Sequence, residues 1–302
     1  PYVGIAKTID KSTNAADILF VNVRMGASFS WKYVWLLSHI ERNLTRGVLL
    51  SFGIFFCYDC GMNYEVVIGL EIHIELNTKT KMFCYSPNDP DEQHPNMNIC
   101  PICMGHPGTL PFINEDAVKK VIAVGLALNG TIGEFSQFDR KNYFYPDLPK
   151  GYQISQYKYP IVSGGYLDVV GKRIRITRIH LEEDTGRLMH PSASSGQANI
   201  SLIDFNRAGV PLMELVTEPD FRTGEEVRQF GEALQQIVRY VDASDANMEK
   251  GQMRVEVNIS MRPIGQKEFG TKVEVKNINS FKYASDAVAY EMKRQTELLE
   301  KG

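Results

Sequence analysis

The 302-residue chain has no apolar run long enough to cross a bilayer. The stretch Gly47 to Tyr58 (GVLLSFGIFFCY) falls short of the roughly 20 residues that a spanning helix needs. It also lies too far along the chain for an ordinary cleaved signal, so no membrane association is expected. Excess charge of one sign is missing too. A net charge of −3 does not suit indiscriminate binding to a phosphate backbone, and RNA contact would need a local basic patch or another subunit. Cysteine is sparse and odd in number: Cys57, Cys60, Cys84, Cys100 and Cys103. Without a secretory signal, these fit reduced thiols or a metal site better than a disulfide framework. The composition, 43% hydrophobic and 23% charged, is that of an ordinary globular protein with one or two domains.

Residues 1–61 carry no motif, and Cys57 and Cys60 form only an isolated CxxC. Regular patterning starts at Met62. The expectation is an upstream extension over 1–61, outside the functional fold, and one folded domain over 62–302.

That domain is organised around Val66 to Leu76, VVIGLEIHIEL. Apolar residues alternate with polar ones at the period of a strand. Leu70, Ile72, Ile74 and Leu76 share one face; Glu71, His73 and Glu75 share the other, spaced about 7 Å apart. Such a face suits a hard divalent cation or proton transfer. It also suits a strand with one wet side. Met253 to Arg262 and Thr271 to Lys276 repeat the design, placing Arg254, Glu256, Glu274 and Lys276 outward.

Cys84 follows the first strand, and NICPICMGHPG presents Cys100 and Cys103. Three thiolates are one short of the usual structural zinc set. Ser86 stands where a fourth thiol would suit, with His94 and His106 as substitutes. The alternative is a turn whose thiols are merely buried.

Helices are expected over 114–128, 223–240 and 280–301, opened by Asn114, Thr223 and Ser280. They read as scaffold covering the apolar sheet face. Asp139 to Gln156 (DRKNYFYPDLPKGYQISQ) reads as an irregular loop, with Arg140, Lys141 and Lys150 for anionic groups and several tyrosines for stacking.

GLEIHIEL, CPICMGHPGTLP, DRKNYFYPDLPKGYQISQY, ITRIHLEEDTGR, DFNRAGVPLMELVTEPD, MEKGQMRVEVNISMRP and GTKVEVKNINSF occur in order. Together they resemble the B subunit of the aspartyl/glutamyl-tRNA amidotransferases, over about residues 63–302. That subunit is longer, with a helical domain and a tRNA-engaging tail domain, so the resemblance is to its N-terminal portion.

The resemblance implies ATP- and magnesium-dependent phosphorylation of the side-chain carboxylate of Glu or Asp misacylated on tRNA(Gln) or tRNA(Asn). Ammonia then arrives through a tunnel from an amidase-fold A subunit, and a small C subunit straps A and B together. It places Glu183, the second Glu of HLEED, with Glu71 and His73 as magnesium ligands, and Lys141 near the entry of ammonia. Glu182 and Asp184 read as solvated or supporting carboxylates. Arg207 and Arg254 are candidate phosphate contacts, with Glu256 and Glu274 on the same charged face. Zinc at Cys84, Cys100 and Cys103 stays a candidate. The expected architecture is α+β: a mostly antiparallel sheet forming a cradle, with helices packed on one face. The expected compartment is the cytoplasm, or an organelle in a eukaryote. The runner-up reading is a non-catalytic fragment acting only in binding or assembly.

Overall fold

The structure, a computed structural model, describes residues 64–89, 91–190 and 200–301. The expected extension over 1–61, with Cys57 and Cys60, lies outside the described residues.

In chain order the elements are β1 (Tyr64–Glu75), α1 (Glu115–Ala127), β2 (Thr131–Ile132), β3 (Asp139–Asn142), β4 (Tyr152–Ser155), β5 (Val162–Ser163), β6 (Tyr166–Val169) and β7 (Lys172–Glu183). They continue with β8 (Arg187–Met189), β9 (Leu202–Asp204), β10 (Pro211–Thr217), α2 (Gly224–Tyr240), β11 (Met253–Pro263), β12 (Val273–Ile278) and α3 (Phe281–Lys301). The main sheet runs β12-β11-β1-β10-β7-β5-β2, with β6 also on β7. Its ladders are antiparallel, and the fold is the expected α+β type.

The alternation of β1 decides its place inside the sheet. Ile68, Ile72 and Ile74 are fully buried. The register sets them beside Ile259, Val255 and Met253 of β11, and sets Ile72 and Ile74 beside Leu215 and Met213 of β10. Val121 and Val124 of α1, Phe230 and Leu234 of α2, and Ala284 and Val288 of α3 complete one core. Each large side chain buried there stabilises the fold by about 1.5–3 kcal/mol. Gly231 permits close approach of the last two helices, since a Cβ there would stand 2.5 Å from the Phe281 ring.

The caps follow the sequence. Asn114 Oδ1 accepts from the N–H groups of Asp116 and Ala117, and Thr223 Oγ1 from that of Glu226. Glu226 reaches back to the N–H of Arg222, one residue before the cap. The segment 139–156 differs from its expected irregularity. Its ends pair as a hairpin, Asp139↔Ser155 to Asn142↔Tyr152. Strands of four residues, one of them reading DRKN, are too short and too polar to show a period. No described helix is long and apolar enough to cross a membrane.

Candidate functional site

The polar face of β1 points away from the core, and antiparallel register turns it into rows across the sheet. One row runs Arg254, His73, Glu214 and His180, on β11, β1, β10 and β7. Glu182 follows two residues after His180 on the same face. His73 Nε2 lies 3.5 Å from Glu214 Oε2 and 3.7 Å from Glu182 Oε1. His180 Nε2 lies 3.3 Å from Glu214 Oε2. Donor atoms of His73, Glu182 and Glu214 all fall within 4.8 Å of one another.

Glu182 and Glu214 are both buried. Burial and the charge of Glu214 raise the Glu182 carboxyl. Burial opposes ionisation of Glu214 too, but hydrogen bonds with His180 and His73 hold it well below the usual carboxylate range. Burial disfavours a charged His73, yet Glu214 and Glu182 prevail and raise it. Two buried carboxylates facing an imidazole make a donor set that a divalent cation would neutralise. Beside it, Arg178 Nε and His180 Nδ1 are buried without hydrogen-bond partners among the described residues.

The structure separates the three expected magnesium ligands. Glu71 joins Glu256 and Glu274 in a second carboxylate group. Lys276 Nζ stands 3.3 Å from both Glu256 and Glu274, and Asn258 donates to Glu71. Glu183 joins neither group. Strand alternation turns it to the side of β7 opposite Glu182. There it accepts from the Ile154 N–H at 3.0 Å and forms a buried ion pair with Lys150. Burial raises the Glu183 carboxyl, against the pull of Lys150. Glu183 and Lys150 line a cavity with Cys84, Cys103 and His106. Lys141 is exposed on β3, and its charge acts on Glu182.

Arg207 and Arg254 converge on Asp184, at 3.6 and 3.1 Å. Burial would raise Asp184, but the two guanidiniums hold it low. Glu75 stands 4.0 Å from Arg207, and burial together with Asp184 pushes its carboxyl up to about 8. The two arginines therefore brace carboxylates, which leaves less of their charge for phosphate than the sequence suggests.

The sulfurs of Cys84, Cys100 and Cys103 lie within 4.8 Å of one another. Zinc–sulfur bonds of about 2.3 Å place tetrahedral sulfurs roughly 3.8 Å apart, so a small contraction would close the set. A hydrogen bond from Cys84, with help from Lys81, pulls the Cys103 thiol down to about 5. His94 is exposed and bound to Glu92 at 2.8 Å, away from fourth-ligand duty. Ser86 is buried, and its carbonyl accepts from the Lys81 N–H.

Sequence reasoning missed Glu214, His180 and Arg178. The signal for Glu214 was a single carboxylate inside the apolar run PLMELVT. For the other two it was their shared parity with Glu182 along β7.

Residues 66–302 match the family model described as the GatB/GatE catalytic domain. The chain is 50% identical, over 80% of its length, to the B subunit of the aspartyl/glutamyl-tRNA(Asn/Gln) amidotransferase of Synechocystis. It is 54% identical, again over 80% of its length, to the B subunit of the same enzyme from Thermosipho melanesiensis. The B subunit of a glutamyl-tRNA(Gln) amidotransferase of Ostreococcus lucimarinus, named as chloroplastic/mitochondrial, is 53% identical over 79% of the chain. The chain spans about half the length of these curated relatives: 50%, 51% and 49%.

Proposed function

The chain belongs to the GatB/GatE catalytic-domain family, and from that premise we propose that it carries the carboxylate-kinase and amide-forming site of a tRNA-dependent amidotransferase. The observation that carries this reading is the convergence of His73, Glu182 and Glu214 on one buried spot. These three would hold magnesium, with Glu182 taking the role expected of Glu183. Magnesium with ATP supplies charge neutralisation for phosphoryl transfer to the side-chain carboxylate of Glu-tRNA(Gln), Asp-tRNA(Asn) or both. Arg178, whose buried Nε has no hydrogen-bond partner among the described residues, is placed to balance phosphate charge. Glu71, Glu256 and Glu274 would extend the polar floor of the same hollow.

Ammonia would come from an amidase A subunit, with a small C subunit completing the assembly. An incoming ammonium must lose a proton before its nitrogen can attack. Glu183 is a buried carboxyl with a raised pKa at a cavity wall, paired with Lys150. That position suits it to accept the proton, and Lys141 stands on the Glu182 side of the same hairpin. Zinc at the three thiols would be structural. A cytoplasmic or organellar setting fits this role in translation.

The test is co-expression with A and C subunits, followed by ATP hydrolysis dependent on misacylated tRNA. Glu182→Gln and Glu214→Gln should abolish turnover while the subunits still assemble. Full turnover in either variant would overturn the assignment. ATP binding without any turnover in the unmodified chain would favour a binding or assembly module.

A further inference from the structure

Lys81 is fully buried, and it is one of the largest fully buried side chains among the described residues. Its Nζ donates to the Phe205 carbonyl at 3.2 Å and approaches Cys103 Sγ at 4.0 Å. No carboxylate forms an ion pair with it among the described residues. Asp204 turns its Oδ1 to the backbone N–H groups of Asn96 and Asn206. An interior ammonium without an anion is strongly disfavoured, so this position calls for negative charge. The groups at hand that could supply it are thiols. Cys103 Sγ also accepts from the Cys100 N–H at 3.1 Å, the kind of backbone contact that steadies a metal-bound thiolate.

We propose that Lys81 is the built-in counter-ion of a three-thiolate zinc site formed by Cys84, Cys100 and Cys103. This rests on the zinc reading above. A divalent ion held by three thiolates carries one negative charge, and one ammonium cancels it. The protons still on the thiols leave to solvent as the ion binds. A fourth thiolate at position 86 would leave a buried negative charge with nothing to offset it. Ser86 is therefore matched to Lys81: a neutral residue where a charged ligand would unbalance the pocket.

The experiment measures zinc content and affinity of the whole chain by competition with a chromophoric chelator. The same proteins are then loaded with cobalt(II) for absorption spectra. The unmodified chain should hold one zinc and show thiolate-to-cobalt charge-transfer bands sized for three thiolates. Lys81→Met keeps the length and removes the charge, and should weaken zinc about tenfold or more. Lys81→Arg should retain most of the affinity. Equal affinity in Lys81→Met would overturn the counter-ion role while leaving the zinc reading intact. An unmodified chain that takes up no zinc would overturn the zinc reading, and the inference with it. Should Lys81→Met not fold, Ser86→Cys decides. Charge matching predicts little gain from the fourth thiol, and a gain of about a hundredfold would overturn it.

Discussion

Glu182 and Glu183 are neighbours in sequence that serve opposite sides of one strand. Glu182 faces His73, Oε1 to Nε2 at 3.7 Å. Glu183 faces the hairpin, accepting the Ile154 N–H at 3.0 Å. Under the proposed function the pair would link two chemistries through one backbone: cation binding on the His73 side of β7 and proton handling at the cavity on the other.

The two should separate experimentally. Glu182→Gln and His73→Ala are expected to weaken magnesium or manganese binding by about tenfold or more, as loss of a direct ligand should. Glu183→Gln should leave that affinity unchanged. Calorimetric titration of the metal checks this, and equal losses at 182 and 183 would refute the division.

Lys150 and Glu183 form a buried pair, so removing one partner strands a charge. Lys150→Met is expected to destabilise the fold by about 3–5 kcal/mol. The double variant Lys150→Met/Glu183→Gln should recover part of that loss. Denaturant unfolding of both proteins measures it. Strictly additive losses would argue against the pairing.

The raised Glu75 carboxyl has a consequence for pH. Its pKa rises from 4.5 to about 8 on folding. The folded state therefore binds this proton more tightly than the unfolded state does. Its contribution is fully present below 4.5 and is lost as pH rises through about 8. Thermal melts of metal-free protein should fall across that window. The Glu75→Gln variant should fall less, because a permanently neutral group cannot lose the proton. Parallel curves would discount the shift.

Phe230 is fully buried and meets Phe221 edge to face at 5.2 Å. Phe230→Ala should cost about 3–5 kcal/mol. Gly231→Ala drives a methyl against the Phe281 ring and should cost about 1–3 kcal/mol by overpacking. Chemical denaturation gives both numbers, and a neutral Gly231→Ala would mean that the two helices separate freely.

Much of the scaffold was legible in the chain itself. The alternation of β1 from Leu70 to Glu75 and of apolar with polar residues along β11, and the caps at Asn114 and Thr223, are local facts about period and hydrogen bonding. They told which residues share a face, and that His73 and Arg254 belong outside the core. The chain left Glu182 and Glu183 undivided between faces, because HLEED closes its strand on three consecutive acids.

What only the folded molecule decided is which strands adjoin and in what register. Glu214 meets His73 because β10 pairs with β1 at that offset, and a shift of one residue would have sent it into the core. Alternation operates between neighbours in sequence, whereas register is chosen by apolar side chains packing between segments far apart. The cluster of His73, Glu182 and Glu214, the ion pair at Glu183 and the enclosure of Lys81 all arise from that second, nonlocal choice.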